Sequence, residues 1–196
     1  DVLCTDKTGT LTKGVVKLDN ALDFMGQPSE LVLHLAFLNA QLQTGLANPL
    51  DEAIVTAGAQ GGIEISGYRK LGEIPYDFSR KRLSIIVECE QDAPALIISK
   101  GALQGVLDVC DQIQVESKNE FLTEGYYQTI QRHFAEWSEQ GYRVLGVAQK
   151  AVPSGGVYTR NDEQGMVFVG FLLFFDPPEE GVHKTLDELR RLGVQL

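Results

Sequence analysis

The chain has 196 residues, of which 43% are apolar and 22% charged, and this composition excludes a disordered protein and fits one or two globular cores. The formal net charge of −10 argues against a protein that binds nucleic acid through its phosphates, because such binding requires a basic surface. The three cysteines lie far apart, without the CxxC spacing typical of zinc or redox sites, and indicate a reducing, cytosolic compartment.

The first elements predicted along the chain lead to an aspartate and then to two helices. The apolar run at residues 2–4 predicts a buried strand that carries Asp6 to a polar loop, and residues 15–18 predict another strand. Ser29, followed by leucines at helical spacing, predicts an N-capped helix, and residues 51–57 predict a second helix.

The middle of the chain predicts an antiparallel sheet with helices packed on it. Strand patterns occur at residues 68–74, 83–87 and 95–98, and residues 102–109 predict a short helix. A longer helix is predicted from an apolar stripe, ended by a glycine, that we expect to face the core. The stripe consists of Tyr126, Ile130, Phe134 and Trp137.

The last part of the chain predicts two strands, a break and a helix. Residues 142–149 predict one strand, and the longest apolar run, at 166–175, predicts a buried strand because a membrane helix needs roughly twenty residues. The prolines after Asp176 interrupt the pattern, residues 179–191 predict a helix, and residues 194–196 begin a strand. Since both ends look like pieces of another unit and no methionine opens the chain, we expect an insertion domain excised from a longer protein.

Residues 6–12 read DKTGTLT, a sequence that resembles the phosphorylation motif of the P-type ATPases. A carboxylate can attack a phosphoryl group when cations and backbone N–H groups neutralise the charge on the transferred oxygens. Lys7 offers such a cation. The resemblance implies that Asp6 is phosphorylated and that Asp6 and the main-chain carbonyl of Thr8 bind Mg²⁺. Without the resemblance, Asp6 would be a surface residue in a polar turn.

The position two residues after the nucleophile separates pumps from phosphatases. The related phosphatases of the same superfamily carry a second aspartate there, which helps water to destroy the acyl phosphate. This chain has Thr8 at that position. The aspartyl phosphate is therefore expected to persist, as an ion pump requires.

Five further segments resemble, in the same order, the nucleotide-binding domain of this family, which implies that the chain binds ATP. Phe78 resembles the aromatic residue that stacks on adenine, a contact worth about 1–3 kcal/mol. Arg80 resembles a cation that contacts phosphate oxygens. From the residues alone, Phe78 would belong to a core, and the basic triplet 80–82 would be a solvated turn.

The other segments supply the remaining residues of the predicted site. Lys100 and Gly101 match an element that forms the floor of the pocket, although they could also be a strand-to-helix turn. Glu52 resembles the acceptor for the adenine amino group, or is an ordinary glutamate in the first turn of a helix. Arg143 matches an arginine that reaches the phosphates, and Asp176 belongs to the hinge that returns to the phosphorylation domain.

The resemblance also implies a fold and a division of the chain. The expected fold class is α+β (α/β), an antiparallel sheet flanked by helices and inserted into fragments of a HAD-like phosphorylation domain. Residues 1–13 are expected to be the N-terminal piece of that domain, 14–175 the nucleotide-binding domain, and 176–196 the hinge and return. The expected partners are ATP and the membrane, actuator and remaining phosphorylation domains of the same polypeptide, with no nucleic acid. The expected location is the cytoplasmic side of an integral membrane protein.

The chain is most similar to one group within this family. LCTD at 3–6, QTGL at 43–46 and KGALQ at 100–104 look like bacterial magnesium-transporting P-type ATPases. This implies ATP hydrolysis coupled to cation transport, with magnesium as the expected ion, although this chain alone is expected to bind ATP without full turnover. The alternatives are a calcium-type pump, a stand-alone HAD-type phosphatase and a non-catalytic interaction module.

Overall fold

The structure is a computed structural model that describes residues 2–6, 10–45, 48–89, 94–177 and 179–194, and all structural statements refer to these. Along the chain the elements are β1 (Lys17–Asp23), α1 (Glu30–Leu42), α2 (Pro49–Gln60), β2 (Tyr68–Ile74), β3 (Arg82–Cys89), β4 (Ala95–Ala102), α3 (Leu103–Leu107), β5 (Cys110–Val115), β6 (Lys118–Phe121), α4 (Glu124–Glu139), β7 (Arg143–Val152), a 3-10 helix (Arg160–Glu163), β8 (Met166–Phe175) and α5 (Val182–Arg191).

The strands form one mixed sheet in the order β2-β3-β4-β7-β8-β5-β6, and β1 lies beside β8. The two neighbours β1 and β5 share one edge of β8. The second half of β8 pairs with β1 in antiparallel register, as in Leu22 opposite Phe171, and the first half pairs with β5 in parallel, as in Ile113 opposite Phe168. The predicted antiparallel sheet with flanking helices is confirmed, apart from this one parallel pair.

Two apolar cores lie on opposite faces of the sheet. Successive residues of β3 alternate between them: Ile85 packs into the core that α1 and α2 cover, and Ile86 into the core that α3 and α4 cover. Because both faces are covered, the inner strands are apolar at successive positions, and β8 is buried from Met166 to Phe174. The apolar stripe of α4 packs on its core as predicted, with Ile130 fully buried.

Helices α1 and α2 each begin directly after a residue whose side chain caps the helix. The Ser29 hydroxyl accepts a hydrogen bond from the Val32 N–H at 3.3 Å, which confirms the predicted N-cap of α1. The second helix begins earlier than predicted because the Asn48 side chain caps it and Pro49 occupies its first turn. The hairpin β5–β6 and the 3-10 helix were not predicted, since their sequences are mostly polar and β6 is exposed along its whole length.

The segment that precedes β1 is hydrogen-bonded to the segment that follows β8. The Lys13 N–H donates to the Pro177 carbonyl at 2.9 Å, and the Glu179 N–H donates to the Leu11 carbonyl at 3.0 Å. The prediction of a buried strand at residues 2–4 is wrong. Residues 2–6 are exposed, and residues 3–6 have no regular secondary structure. The final predicted strand, 194–196, lies almost wholly outside the described residues.

Within the part of the chain that the structure describes, we find no helix with the length and apolar character needed to cross a membrane.

Candidate functional site

Phe78 lies at the tip of a well-ordered turn between β2 and β3, here called the Phe78 turn (residues 77–81). The Asp77 carboxylate accepts hydrogen bonds from the N–H groups of Ser79 at 3.0 Å and Arg80 at 2.8 Å, and from the Ser79 hydroxyl at 2.7 Å. The Ser79 and Arg80 bonds hold the pKa of the Asp77 carboxyl well below its ordinary value. The Phe78 ring is 88% exposed, so Phe78 is not a core residue.

Arg80 points back into the protein. Its Nε donates to Asp77 at 2.7 Å, its Nη1 donates to both carboxylate oxygens of Glu163 at 2.8 Å, and its Nη2 donates to the Pro75 carbonyl. The Arg80 side chain is only 12% exposed. Each of its three nitrogens thus serves a contact within the protein, and of the basic triplet only Lys81 is exposed.

Lys100 forms a buried ion pair on the other face of the same strands. It lies on β4 between Leu83 of β3 and Val147 of β7, and its ammonium group contacts the Asp51 carboxylate in the first turn of α2. Burial lowers the pKa of the Lys100 ammonium, and the charge of Asp51 offsets part of that effect. Glu52, the predicted acceptor, is exposed, so its neighbour Asp51 is the carboxylate that contacts Lys100.

Gly101 joins the strand of Lys100 to the Phe78 turn. A Cβ atom at Gly101 would lie 2.3 Å from the Lys81 carbonyl oxygen, which also accepts the Ala102 N–H at 2.9 Å. A Cβ at Gly105 would lie 2.4 Å from the Arg80 carbonyl oxygen. The space that glycine leaves at these two positions is therefore occupied by the backbone of the turn itself.

Arg143 and Asp176 lie at the end of the sheet where β7 begins and β8 ends. Arg143 is exposed and pairs in register with Phe174, two residues before Asp176. The Asp176 carboxylate accepts a hydrogen bond from the Thr12 hydroxyl at 2.6 Å, while its other oxygen is buried with no hydrogen-bond partner among the described residues. Asp176 therefore ties the returning chain to its start.

The predicted phosphorylation and magnesium residues are described only in part. Asp6 is exposed, whereas Lys7 and Thr8 lie outside the described residues. Nowhere in the described ranges do three or more histidine, cysteine, aspartate or glutamate side chains form a group that could hold a metal ion. The described residues therefore offer one candidate ligand for Mg²⁺, the Asp6 carboxylate, and not a complete site.

A family model described as "P-type ATPase, cytoplasmic domain N" matches residues 2–181. The chain belongs to this family. The P-type ATPase relatives include the magnesium-transporting ATPase, P-type 1, of Salmonella typhimurium strain 14028s, which is 40% identical over 197 residues, and that of Escherichia coli K12, which is 39% identical over 197 residues. Calcium-transporting ATPase 1 of Lactococcus lactis is 28% identical over 214 residues.

The chain is aligned to these P-type ATPases over 99% of its own length but spans only 22% of the length of the two magnesium-transporting relatives. It spans 24% of the length of the calcium-transporting one. The match to this family confirms the resemblance carried by DKTGTLT and by the segments around Phe78 and Lys100.

Sequence reasoning did not identify two carboxylates of this P-type ATPase domain that form buried ion pairs, Asp51 and Glu163. Asp51 is the third residue after the Asn48 cap, a position whose side chain turns back towards the start of the helix, and this signal could have separated it from Glu52. Glu163 is fully buried in the 3-10 helix. Its burial depends on Arg80 and Arg82, about 80 residues earlier in the chain, and no local sequence pattern predicts it.

Proposed function

We propose that this chain binds ATP as the nucleotide-binding part of a P-type ATPase, with the nucleotide bound on the Phe78 turn, next to the strand of Lys100. The single observation that carries the proposal is the exposure of Phe78 on a turn whose backbone packs against β4 beside Lys100. The Phe78 ring contacts the Tyr76 ring edge to face, with ring centroids 5.6 Å apart, and stays accessible to a base, whose stacking on such a ring contributes about 1–3 kcal/mol.

The remaining contacts follow from charge and position. Glu52, exposed in the first turn of α2, is the proposed acceptor for the adenine amino group. Asp51 holds Lys100 beside it, since the Asp51 oxygens contact the Lys100 ammonium and accept a hydrogen bond from Gln43 at 2.6 Å. Arg143 supplies an exposed cation for the phosphates, at the end of the sheet where β8 ends and the chain returns to its start. Arg80 supports the turn and does not contact phosphate.

In the intact protein we propose Asp6 as the nucleophile. One carboxylate oxygen attacks the γ-phosphorus, the bond from that phosphorus to the β,γ-bridging oxygen breaks, and ADP leaves with the bond electrons. Water later cleaves the acyl phosphate, and the absence of a carboxylate at Thr8 delays this step. Asp6 and the Thr8 main-chain carbonyl are proposed as ligands for the Mg²⁺ that ATP carries.

The domain division and the cellular setting are part of the same proposal. Residues 14–175 form the nucleotide-binding domain, and residues 1–13 and 176–196 belong to a phosphorylation domain on the cytoplasmic side of a membrane protein. Magnesium is the proposed transported ion, since relatives at 39–40% identity are named magnesium-transporting ATPases. Calcium is the second candidate, since a relative at 28% identity is named a calcium-transporting ATPase.

Isothermal titration of ATP into this chain tests the pocket. Phe78→Ala is expected to weaken binding by about 5-fold to 150-fold, the equivalent of about 1–3 kcal/mol. The matched control is Phe121→Ala, which removes a ring that is 79% exposed on β6, and it should leave the affinity unchanged. Equal affinity of all three proteins would remove Phe78 from the site. Failure of the unchanged chain to bind ATP would refute the proposed function.

A further inference from the structure

The Phe78 turn is supported from one side by the 3-10 helix of residues 160–163, which sequence reasoning had not singled out. Two charged contacts join them: Arg160 lies 3.3 Å from Asp77, and Glu163 accepts hydrogen bonds from Arg80. The second contact is buried, since the Glu163 side chain is fully inaccessible to solvent. The turn that carries the exposed aromatic ring therefore rests on a carboxylate in the interior.

The Glu163 carboxylate is saturated with donors. It accepts two hydrogen bonds from Arg80 at 2.8 Å, two from Arg82 at 2.8 and 3.0 Å, and one from the Ser84 hydroxyl at 2.6 Å. Arg82 also donates to the Gly105 carbonyl at 2.7 Å. These bonds replace the hydration that a buried carboxylate loses, and the planar guanidinium groups fix the directions of all three side chains.

The 160–163 helix is also held by contacts that do not involve the Phe78 turn. The Thr159 and Asp162 side chains cap its start reciprocally. The Lys150 ammonium of β7 donates to the carbonyls of Asp162 at 3.2 Å and Gln164 at 2.6 Å. Glu163 therefore has a position set by β7 and its own helix, and it imposes that position on Arg80 and Arg82.

Such an arrangement specifies geometry more than it adds stability. A buried carboxylate with two arginines can often be replaced by apolar side chains without loss of stability, because desolvation of the charges offsets their attraction. Arg80 contacts Pro75, Asp77 and Glu163 at once, so it ties the approach to the turn, the first residue of the turn and the 160–163 helix together.

We propose that Glu163 is a positioning residue for nucleotide binding: through Arg80 and Arg82 it holds the Phe78 turn in the conformation that presents the ring to the base. This inference rests on the proposed function, but it is separate from it. The chain could bind ATP through Phe78 with the turn held by Asp77 alone, and Glu163 would then be dispensable for binding.

A double-mutant cycle tests the inference in this chain. ATP is titrated into the wild type, Glu163→Gln, Phe78→Ala and the double variant. Glu163→Gln should weaken binding in the wild-type background, by no more than Phe78→Ala does, and should have little further effect once the ring is absent. A purely structural role would lower affinity by the same factor in both backgrounds, and unchanged binding by Glu163→Gln would also overturn the inference. The control is Glu88→Gln, which neutralises the partner of Arg69 near the end of β3 that lies away from the Phe78 turn.

A second variant and a second measurement keep the inference testable if Glu163→Gln does not fold. Arg80→Gln removes the contact with the turn while Arg82 and Ser84 remain on Glu163, and it should reproduce the pattern of the cycle. Without nucleotide, amide hydrogen exchange of residues 77–81 should accelerate in either variant while that of α1 stays unchanged. Unchanged exchange in the turn would overturn the inference even if ATP binding is confirmed. Failure of the wild type to bind ATP would instead refute the proposed function, and with it the role of Glu163 in that binding.

Discussion

The Thr12 hydroxyl donates a hydrogen bond of 2.6 Å to the carboxylate of Asp176, across 164 positions of the sequence. Thr12 is itself buried, and backbone hydrogen bonds from Lys13 and Glu179 flank the contact. These hydrogen bonds join the segment before β1 to the segment after β8, and we call this contact the chain junction.

Thr12→Val should loosen this junction. It removes the donor from a partly buried carboxylate whose other oxygen has no hydrogen-bond partner in the described part of the chain, so we expect a loss of about 1–3 kcal/mol in the free energy of unfolding. Urea unfolding measures it. The control is Thr56→Val on α2, where an exposed hydroxyl donates to the Glu52 carbonyl, and it should change stability by less than about 0.5 kcal/mol. Equal effects of the two substitutions would show that the Thr12–Asp176 hydrogen bond contributes no more to stability than an exposed one.

Asp51→Asn should destabilise the protein far more than Glu52→Gln. The first change leaves the Lys100 ammonium buried without its charged partner, and breaking such a pair costs about 3–5 kcal/mol. The second neutralises an exposed neighbour in the same helical turn, with an expected effect below about 0.5 kcal/mol. Thermal and urea unfolding compare the two variants.

ATP titration of the same pair decides which carboxylate belongs to the pocket. We expect weaker binding by Glu52→Gln although that substitution barely changes stability, because Glu52 is the proposed acceptor for the adenine amino group. Unchanged binding by Glu52→Gln together with weaker binding by a folded Asp51→Asn would remove Glu52 from the site and assign its role to Asp51.

The Phe78 turn should give the protein a specific acid sensitivity. The Ser79 and Arg80 hydrogen bonds depress the pKa of the Asp77 carboxyl in the folded protein. A depressed carboxyl pKa stabilises the fold above the pKa of the unfolded chain, near 4, and this contribution is lost as the pH falls further. Asp77→Asn should therefore be less stable than the wild type at pH 6, and the difference should narrow from about pH 5 to about pH 2.

Urea unfolding at several pH values measures this narrowing. The control is Asp108→Asn, which removes an exposed carboxylate whose hydrogen bond comes from the neutral amide of Gln104. That variant should follow the wild type throughout. A difference between Asp77→Asn and the wild type that stays constant across the acid range would contradict the prediction.

Asp6→Asn should abolish the phosphorylated intermediate of the intact protein, since an amide cannot act as the nucleophile. The measurement is the acid-stable, hydroxylamine-sensitive label left by ATP carrying a labelled γ-phosphate. Asp187→Asn on α5 removes an exposed aspartate and should leave the label unchanged. Label that persists in Asp6→Asn would assign the phosphorylation to another residue.

The sequence predicted those features whose cause is local. The ten apolar residues of β8 and the stripe of α4 required only periodicity, and the Ser29 cap required only a hydroxyl before a helical pattern. The hairpin β5–β6 escaped because it lies at the edge of the sheet, where few positions are buried and alternation between apolar and polar residues is weak.

Pairing between distant segments could not be predicted from periodicity. From its residues alone the basic triplet 80–82 would be a solvated turn, and family resemblance assigned Arg80 to phosphate, yet Arg80 and Arg82 both bind Glu163. Phe78 was assigned to adenine stacking only by family resemblance, since an isolated phenylalanine is more often buried. The contact of Asp51 with Lys100, about 50 residues later in the chain, was likewise not predicted.

The strand β8 connects the 160–163 helix to the junction at Asp176. It starts two residues after Gln164, next to the 160–163 helix, and ends at Phe175, immediately before Asp176. Ten residues of strand span roughly 33 Å, and hydrogen-bonded neighbours on both edges prevent it from flexing. A displacement of the 160–163 helix, which contacts the Phe78 turn through Glu163, would therefore be carried along β8 to Asp176, where the chain returns to its start.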